Sequence, residues 1–315
     1  MATLKRIYLL SESEISDLYA RPDFNSDERE LYFSLSSQEL EALNHYATTK
    51  TRAYFILQLG YFKARQQFFN FEFQEVRADL AYVLSKFFKI PKGRFTGGIT
   101  RQCISLQKKA ILKLFDYQDL PAHQNNSAEE HLAELLRYYP KGHDAFRHLL
   151  TYFDHQKIVI PTYRNLQDMF TRAFAKENDR LSRLVLLIPK IQQEKLLELV
   201  EKGDGISKLN LIRSDQKNFQ YTAIKSEADK AMTIVDLYKF SKEFLPSLNL
   251  SKNAIGYYSD LAEQYAASRL RRFSKDQQFL QILCFVHHRY QQIMDNLITS
   301  FFHHTRAILV GVPVE

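Results

Sequence analysis

The chain has 315 residues, which allows two or three domains at roughly 100–200 residues each, and Lys and Arg outnumber Asp and Glu by 43 to 36. It contains only 9 Gly and 8 Pro, which argues against many short strands joined by tight turns and favours long helices. The two cysteines, Cys103 and Cys284, stand far apart in segments that read as helical, so neither a disulfide framework nor a zinc site is expected.

Helical patterns follow one another along the first third of the chain. Short helices are predicted after Ser11 and after Ser36, where Glu39 stands at the position that completes a capping box. Apolar residues at helical spacing then predict longer helices at 51–69, 73–88 and 99–117. The segment 121–127 (PAHQNNS) reads as a linker.

The same pattern continues to the end of the chain. Helices are predicted at 128–139, 143–155, 163–183, 223–244, 254–268 and 275–302. An extended segment is expected at 157–160, because the residue before Pro161 is disfavoured in the helical region. Pro189 is expected in the first turn of a further helix, which ends at a second linker, 203–205. The predicted domains are 1–122, 127–203 and 206–315.

Charge is distributed unevenly over the first 113 residues. Acidic residues dominate up to residue 49, and basic residues dominate from Lys50 to Lys113, where Glu72, Glu75 and Asp79 are the acids. A basic stretch of this kind is typical of a nucleic-acid-binding surface. The alternative is a charged surface that serves only solubility.

The basic stretch contains a pattern of the helix-turn-helix type, with 73–88 as the supporting helix and 99–117 as the reading helix. Small and polar residues lie at the N-terminal end of the reading helix, as contact with base edges requires. Arg suits guanine and Gln suits adenine, so Arg101 and Gln102 are the expected base contacts. Phosphate contacts are expected from Lys63, Arg65, Lys108 and Lys109. The DNA-binding candidates of this unit are Arg52, Lys63, Arg65, Lys92, Arg94, Thr100, Arg101, Gln102, Lys108 and Lys109.

A second unit repeats the pattern, with 143–155 as the supporting helix and 162–183 as the reading helix. Arg164 and Asn165 are its expected base contacts. An alternative is a solvated helix face held by local pairs such as Asp168 with Arg172. The DNA-binding candidates of this unit are Thr162, Tyr163, Arg164, Asn165, Arg172 and Lys176.

Motifs that carry chemistry are missing from the sequence. There is no phosphate-binding glycine loop, dinucleotide fingerprint, zinc-protease motif or nucleophile elbow. The pairs His287-His288 and His303-His304 have phenylalanines as neighbours and no acidic residue at ligand spacing, so a role on a helix face is favoured over metal binding. We therefore expect no catalytic site, no metal and no cofactor in this chain.

Four segments together resemble the N-terminal region of Tn-three family transposases, the replicative enzymes that mobilise bacterial transposons. The segments are LLSESEISDLYARPDFNSDERELYFSLSSQEL at 9–40, RAYFILQLGYFKARQQFF at 52–69, VRADLAYVLSKFFKI at 76–90 and IVIPTYRNLQDMFTRAFAKENDRL at 158–181. The resemblance implies helical DNA-binding domains that recognise the terminal inverted repeats of the transposon. It also implies that the catalytic DDE domain, which uses magnesium, lies further toward the C-terminus than this chain extends.

The expected protein is all-α, with consecutive helical bundles that carry helix-turn-helix-like DNA-binding units in 1–122 and 127–203, followed by a helical connector in 206–315. The two units are expected to bind double-stranded DNA in successive major grooves, about 10 bp apart. Self-association through the C-terminal helices is a further expectation. No signal peptide and no apolar run of about 20 residues is present, so a cytoplasmic, nucleoid-associated bacterial protein without a membrane span is expected.

Two other functions fit the same composition. One is a helical protein–protein interaction module without DNA specificity, with the aromatic residues of the last hundred positions forming the partner surface. The other is an RNA-binding helical protein in which Tyr and Phe stack on unpaired bases. Helical periodicity assigns most of these aromatic residues to cores, which disfavours the RNA alternative.

Overall fold

The structure, a computed structural model, describes residues 6–90, 95, 97–120, 122–201, 207–216 and 218–310, with the side chains of 122–126 and 307–310 left out. These residues form helices joined by short connections, which confirms the all-α prediction. Within the described ranges the β-type pairing is an isolated parallel bridge between Gln118 and Ile158. The bridge agrees with the extended segment predicted at 157–160, except that Lys157 takes a left-handed conformation with a φ of 51°.

The helices occupy most of the described chain. They are α1 (Glu12–Tyr19), α2 (Ser26–Tyr32), α3 (Ser37–Leu43), α4 (Thr49–Arg65), α5 (Arg77–Phe88), α6 (Arg101–Phe115), α7 (Ala122–Tyr138), α8 (Gly142–His155), α9 (Tyr163–Val185), α10 (Lys190–Val200), α11 (Lys208–Arg213), α12 (Tyr221–Phe244), α13 (Lys252–Gln264), α14 (Ala267–Leu270) and α15 (Lys275–Val310). Two 3-10 turns, Phe73–Glu75 and Leu245–Leu248, precede α5 and follow α12.

Side-chain caps begin the first three helices. The side chains of Ser11, Asn25 and Ser36 each accept a hydrogen bond from the backbone of the first turn, and the carboxylate of a Glu three residues later accepts one from the backbone N–H of the cap residue. This reciprocal arrangement satisfies backbone N–H groups that a helix start leaves without partners. The capping box predicted for Ser36 and Glu39 is thus confirmed.

Several predictions about helix boundaries were wrong. The proposed linker 121–127 is helical from Ala122 onward, because its Asn and Ser residues are weak helix formers rather than breakers. The helix predicted at 51–69 ends at Arg65, where Gln66 takes a left-handed conformation and the chain turns back so that Gln58 bonds the backbone of Phe69. The helix predicted at 254–268 is interrupted after Gln264.

The backbone carbonyls at the end of α13 are bound by a side chain from another helix. The guanidinium of Arg213 donates hydrogen bonds to the carbonyls of Ala262 and Tyr265. These carbonyls lie at the end of α13, where backbone acceptors lose their helical partners. The arginine comes from a distant part of the sequence, so the sequence pattern around Gln264 carries no sign of it. The second proposed linker, 203–205, lies outside the described residues.

The chain divides into two compact units. Unit 1 is Met1–Glu129 with Phe146–Thr171, and unit 2 is Glu130–Ala145 with Arg172–Glu315. Residues of the predicted domain 127–203 are therefore found in both units, and those of 206–315 are found in unit 2.

Helix α4 forms the centre of unit 1. Every residue from Ala53 to Phe62 is buried, so this helix is enclosed on all sides rather than on one face. Helices α2, α3, α5 and α6 each pack against it. A helix buried all round is consistent with its nearly continuous apolar sequence. The basic helix α6 thus packs against the buried central helix of unit 1.

In unit 2 the long helix α15 packs against α12, α13 and α10. Residues 278–286 of this helix are all buried, including Phe279, Leu283 and Phe285. None of the helices in the described ranges combines the length and the apolarity that crossing a bilayer requires.

Candidate nucleic-acid interface

The basic character of unit 1 is concentrated around α6. From Leu80 to Phe115 the sequence has no Asp or Glu. Over the same residues it has Lys86, Lys89, Lys92, Arg94, Arg101, Lys108, Lys109 and Lys113. Within this stretch of sequence, no acidic residue offsets the positive charge that attracts a polyanion.

The start of α6 is open to solvent. Thr100 caps the helix by accepting a hydrogen bond from the Cys103 amide at 3.3 Å. Gly97, with a φ of 63°, and Gly98 precede the cap, and the space beside both glycines is empty. Arg101 and Gln102, the first two helical residues, are exposed. The two residues predicted to contact base edges therefore lie at an accessible helix N-terminus, where backbone N–H groups also favour anions.

One face of α6 is fixed to the protein and the opposite face is exposed. Gln107, Ile111 and Leu112 are buried, and the Gln107 side chain donates a hydrogen bond of 2.9 Å to the carbonyl of Thr51 in α4. The opposite face carries an exposed row at the helical spacing of four, three and four residues, which we call the α6 stripe. The α6 stripe consists of Gln102, Leu106, Lys109 and Lys113.

The two adjacent lysines of α6 have different surroundings. Lys109 is exposed on the α6 stripe, whereas the ammonium of Lys108 lies 5.2 Å from the centre of the Phe68 ring. Partial burial lowers the pKa of Lys108, and Asp119 opposes this shift. Lys108 thus packs along the side of unit 1, and the sequence pattern did not distinguish it from Lys109.

Two candidates on or near α4 have partners inside unit 1. The Lys63 ammonium bonds the buried carboxylate of Glu39 at 2.9 Å and the carbonyl of Ser34 at 2.6 Å. Arg52 Nε donates to the carbonyl of Tyr46 at 2.6 Å. Both cations therefore hold unit 1 together at its α3–α4 junction. Arg65, at the end of α4, is exposed. Lys92 and Arg94 lie outside the described residues.

The second predicted reading helix begins at α9. Thr162 accepts a hydrogen bond from the Asn165 amide at 3.4 Å. Arg164 and Asn165 are exposed in the first turn, as a base-reading role requires. Further along α9, Arg172 and Lys176 are also exposed, and these two belong to unit 2.

Tyr163 has a different position from its two neighbours. Its hydroxyl accepts hydrogen bonds from the backbone amides of Leu9 and Leu10, at 3.1 and 3.2 Å. Its ring meets the edge of Tyr19, whose own hydroxyl donates to the carbonyl of Pro161 at 2.8 Å. The side chain is thus part of a contact with the N-terminal segment.

That segment, residues 6–10, lies along the first turns of α9, and we call it the N-terminal strap. Beyond the Tyr163 contact, Gln167 donates to the carbonyl of Ile7 at 3.1 Å, and the Ile7 amide donates to Thr171 at 3.4 Å. Arg6 forms an ion pair with Asp168. The α9 residues concerned recur at helical spacing, so the strap lies along one side of the helix, while Arg164 and Asn165 remain exposed to solvent. No local sequence signal indicated this contact.

The isolated bridge connects the exit of α6 with the entry of α9. The Gln118 amide donates to the carbonyl of Lys157, and the Val159 amide donates to the carbonyl of Gln118, both at 2.9 Å. All three residues belong to unit 1. The segment after the first predicted reading helix is therefore hydrogen-bonded to the segment before the second.

The histidine pairs have structural partners. His287 lies 3.0 Å from the hydroxyl of Ser241 and stacks on Tyr238. His303 stacks on Phe219, and His304 contacts the Phe219 carbonyl at 2.7 Å. In the part of the chain that the structure describes, no three His, Cys, Asp or Glu side chains are grouped as metal ligands would be.

Comparison with known proteins places the first half of the chain in a family. No curated protein sequence matches this chain. The family described as "Domain of unknown function (DUF4158)" matches residues 9–173, which include α1 to α8 and the beginning of α9. Since the match covers more than half of the 315 residues, the chain belongs to the DUF4158 family.

Proposed function

We propose that this chain binds double-stranded DNA sequence-specifically through the exposed face of α6 and the first turn of α9. The observation that carries the proposal is the α6 stripe, because it combines an open, capped helix start with basic residues in a stretch free of acids. An α-helix fits the major groove, where each base pair presents a distinct pattern of donors and acceptors. Arg101 and Gln102 at the helix start are the proposed base contacts.

Phosphate contacts are assigned to a different set of residues from the one expected from the sequence. Lys109 and Lys113 on the α6 stripe, with Arg65 at the end of α4, are exposed and suited to the DNA backbone. Lys63 and Arg52 bond acceptors within unit 1, so we assign them to folding. Contacts to phosphate position the protein on the duplex without selecting a sequence.

A second contact is proposed for Arg164 and Asn165 in the first turn of α9. The hydrogen bonds between Gln118 and the segment 157–159 join the exit of α6 to the entry of α9. They support an arrangement in which the two reading helices are held together. Two reading helices that are held together recognise half-sites at a fixed spacing, about one helical turn of DNA or a multiple of it.

We further propose that the DNA is the terminal inverted repeat of a transposon. The four segments that resemble Tn-three family transposases lie at 9–40, 52–69, 76–90 and 158–181, and the family match at 9–173 covers nearly all of them. In this proposal DNA cleavage, with its magnesium, is the task of a DDE domain outside these residues. A bacterial cytoplasmic, nucleoid-associated location follows from the same proposal.

Binding to two duplexes of equal length tests the proposal, one from a terminal inverted repeat and one scrambled. We expect preference for the repeat and an affinity that falls by roughly 10³–10⁵ between 50 and 200 mM salt if about 6–10 phosphates are neutralised. Equal binding to both duplexes would reject sequence recognition, and absence of binding would reject the DNA function.

A second candidate function rests on exposed apolar residues near the end of α15. Phe301 and Phe302 are each 65% exposed and Ile298 is 49% exposed. Such residues suit a protein partner or self-association. Sedimentation of the chain against a Phe301→Ala/Phe302→Ala variant tests this function. Association that is insensitive to salt and is lost in the variant would support it, and a chain that remains monomeric at all concentrations would contradict self-association.

A further inference from the structure

The α6 stripe has an apolar side chain at its centre. Leu106 follows Gln102 by one helical turn and precedes Lys109 by another, yet it is 56% exposed. Apolar residues scattered singly over a protein surface are common. This leucine differs in position, because its neighbours along the stripe are the residues to which we assign base and phosphate contacts.

Leu106 does not belong to the side of α6 that packs into the core of unit 1. The core side of α6 is formed by Ile111, Leu112 and Gln107, which point away from the stripe because of the 3.6-residue period of the helix. An apolar side chain that remains exposed in the free protein gains stabilisation when a ligand covers it. In the proposed function, the surface that would cover it is the floor of the major groove.

We propose that Leu106 contacts the 5-methyl group of a thymine and is therefore a specificity-determining residue of the DNA site. The inference rests on the proposed function. Thymine is the base that presents a methyl group in the major groove, and an apolar side chain recognises it by contact. Gln102 and Leu106 are separated by about 6 Å along the helix axis, or about two base-pair steps. The thymine thus lies within about two base pairs of the base that Gln102 contacts.

Replacement of thymine by deoxyuridine, which removes only the methyl group, tests this assignment. A preferred duplex is first selected from a random pool with the unaltered chain, and each of its thymines is then replaced singly. We expect affinity to fall by about three- to fivefold at one position, as burial of a single methyl group implies. Replacement elsewhere leaves the affinity unchanged.

Variants of the protein identify the side chain responsible. Leu106→Ala should weaken binding to the preferred duplex by about three- to fivefold. Replacement of the sensitive thymine by deoxyuridine should not weaken the binding of this variant further. Leu106→Met keeps an apolar side chain and should retain the dependence on the methyl group. Leu186→Ala is the matched control, because Leu186 is 52% exposed but lies after α9 in unit 2.

The outcomes separate this inference from the function on which it rests. If no duplex is enriched from the pool, the proposed function and the inference fall together. If a preferred duplex exists but no thymine is sensitive, or if the same sensitivity persists in Leu106→Ala, the inference alone is rejected. Equal weakening of preferred and scrambled duplexes by Leu106→Ala would also reject it.

Discussion

The hydroxyl of Tyr61 donates a hydrogen bond of 2.6 Å to the buried carboxylate of Asp79, and the second carboxylate oxygen accepts one of 2.7 Å from Arg29. Tyr61 belongs to α4, Asp79 to α5 and Arg29 to α2. The three side chains therefore connect three helices around a single buried charge. Burial and the adjacent carboxylate both raise the pKa of Tyr61, so its hydroxyl remains a donor at any physiological pH.

Removal of either partner should destabilise unit 1. Asp79→Ala leaves the Arg29 guanidinium without its counter-ion, and we expect the free energy of unfolding to fall by about 3–5 kcal/mol. Tyr61→Phe leaves one carboxylate oxygen without a donor, and we expect a loss of about 1–3 kcal/mol. Urea denaturation measures both losses. Asp17→Asn, on the exposed face of α1, is the control, and a loss of similar size there would contradict the assignment.

Gly60 is required because α4 passes against the ring of Phe33. A Cβ at Gly60 would overlap with that ring well inside van der Waals contact. Gly60→Ala should therefore destabilise the protein by about 1–3 kcal/mol, although Ala normally stabilises a helix relative to Gly. Gly256, in α13, has no atom within 4 Å of such a Cβ, so Gly256→Ala should stabilise by about 0.5–1 kcal/mol. Thermal unfolding compares the two, and changes of the same sign would refute the packing argument.

The N-terminal strap should loosen when the Tyr163 hydroxyl is removed. Tyr163→Phe deprives the Leu9 and Leu10 amides of their acceptor, so we expect hydrogen exchange at these two amides to accelerate while the core of α4 stays protected. Tyr19→Phe is the matched control, since Tyr19 bonds Pro161 instead. Unchanged exchange at Leu9 and Leu10 in Tyr163→Phe would show that other contacts hold the strap.

Stability should decrease in mild acid because of His287. Burial, with a contribution from His288, lowers the pKa of His287 below its ordinary value of 6.5. The unfolded chain therefore binds a proton at this residue more readily than the folded chain does. As the pH falls below 6.5 the unfolded state is favoured, and the contribution is fully retained above that value. The free energy of unfolding, measured at about pH 7.5 and about pH 5.5, should decline less in His287→Asn. An equal decline in both proteins would exclude His287 as the cause.

The two kinds of proposed DNA contact should respond differently to substitution. Lys109→Ala and Lys113→Ala should weaken binding to all duplexes alike, and each should reduce the slope of log K against log salt by about one. Gln102→Ala and Arg164→Ala should each relax selectivity at one position, with a loss of about 1–3 kcal/mol on the preferred duplex. Lys242→Ala, an exposed lysine of unit 2, is the control. A uniform loss from Gln102→Ala would contradict base reading by that residue.

The helical class and the places of most helices could be predicted from the sequence, because those properties depend on local periodicity, caps and helix breakers. Each of these signals affects the backbone only within a few residues of its own position. Examples are the capping pair Ser36 and Glu39, Pro161 before α9, and the apolar positions of α5. The concentration of basic residues around α6 is likewise a property of the sequence. Local signals could therefore place Arg101 and Gln102 at a helix start.

Which of the charged residues have partners within the protein depends on the tertiary structure. Lys63 is paired with Glu39 and Asp168 with Arg6, and the hydroxyl of Tyr163 is occupied by the amides of residues 9 and 10. These contacts join positions that are far apart in the sequence, and each partner is brought there by the packing of helices around buried apolar side chains. Hydrophobic periodicity specifies which face of a helix is covered, but it does not specify which distant segment covers it.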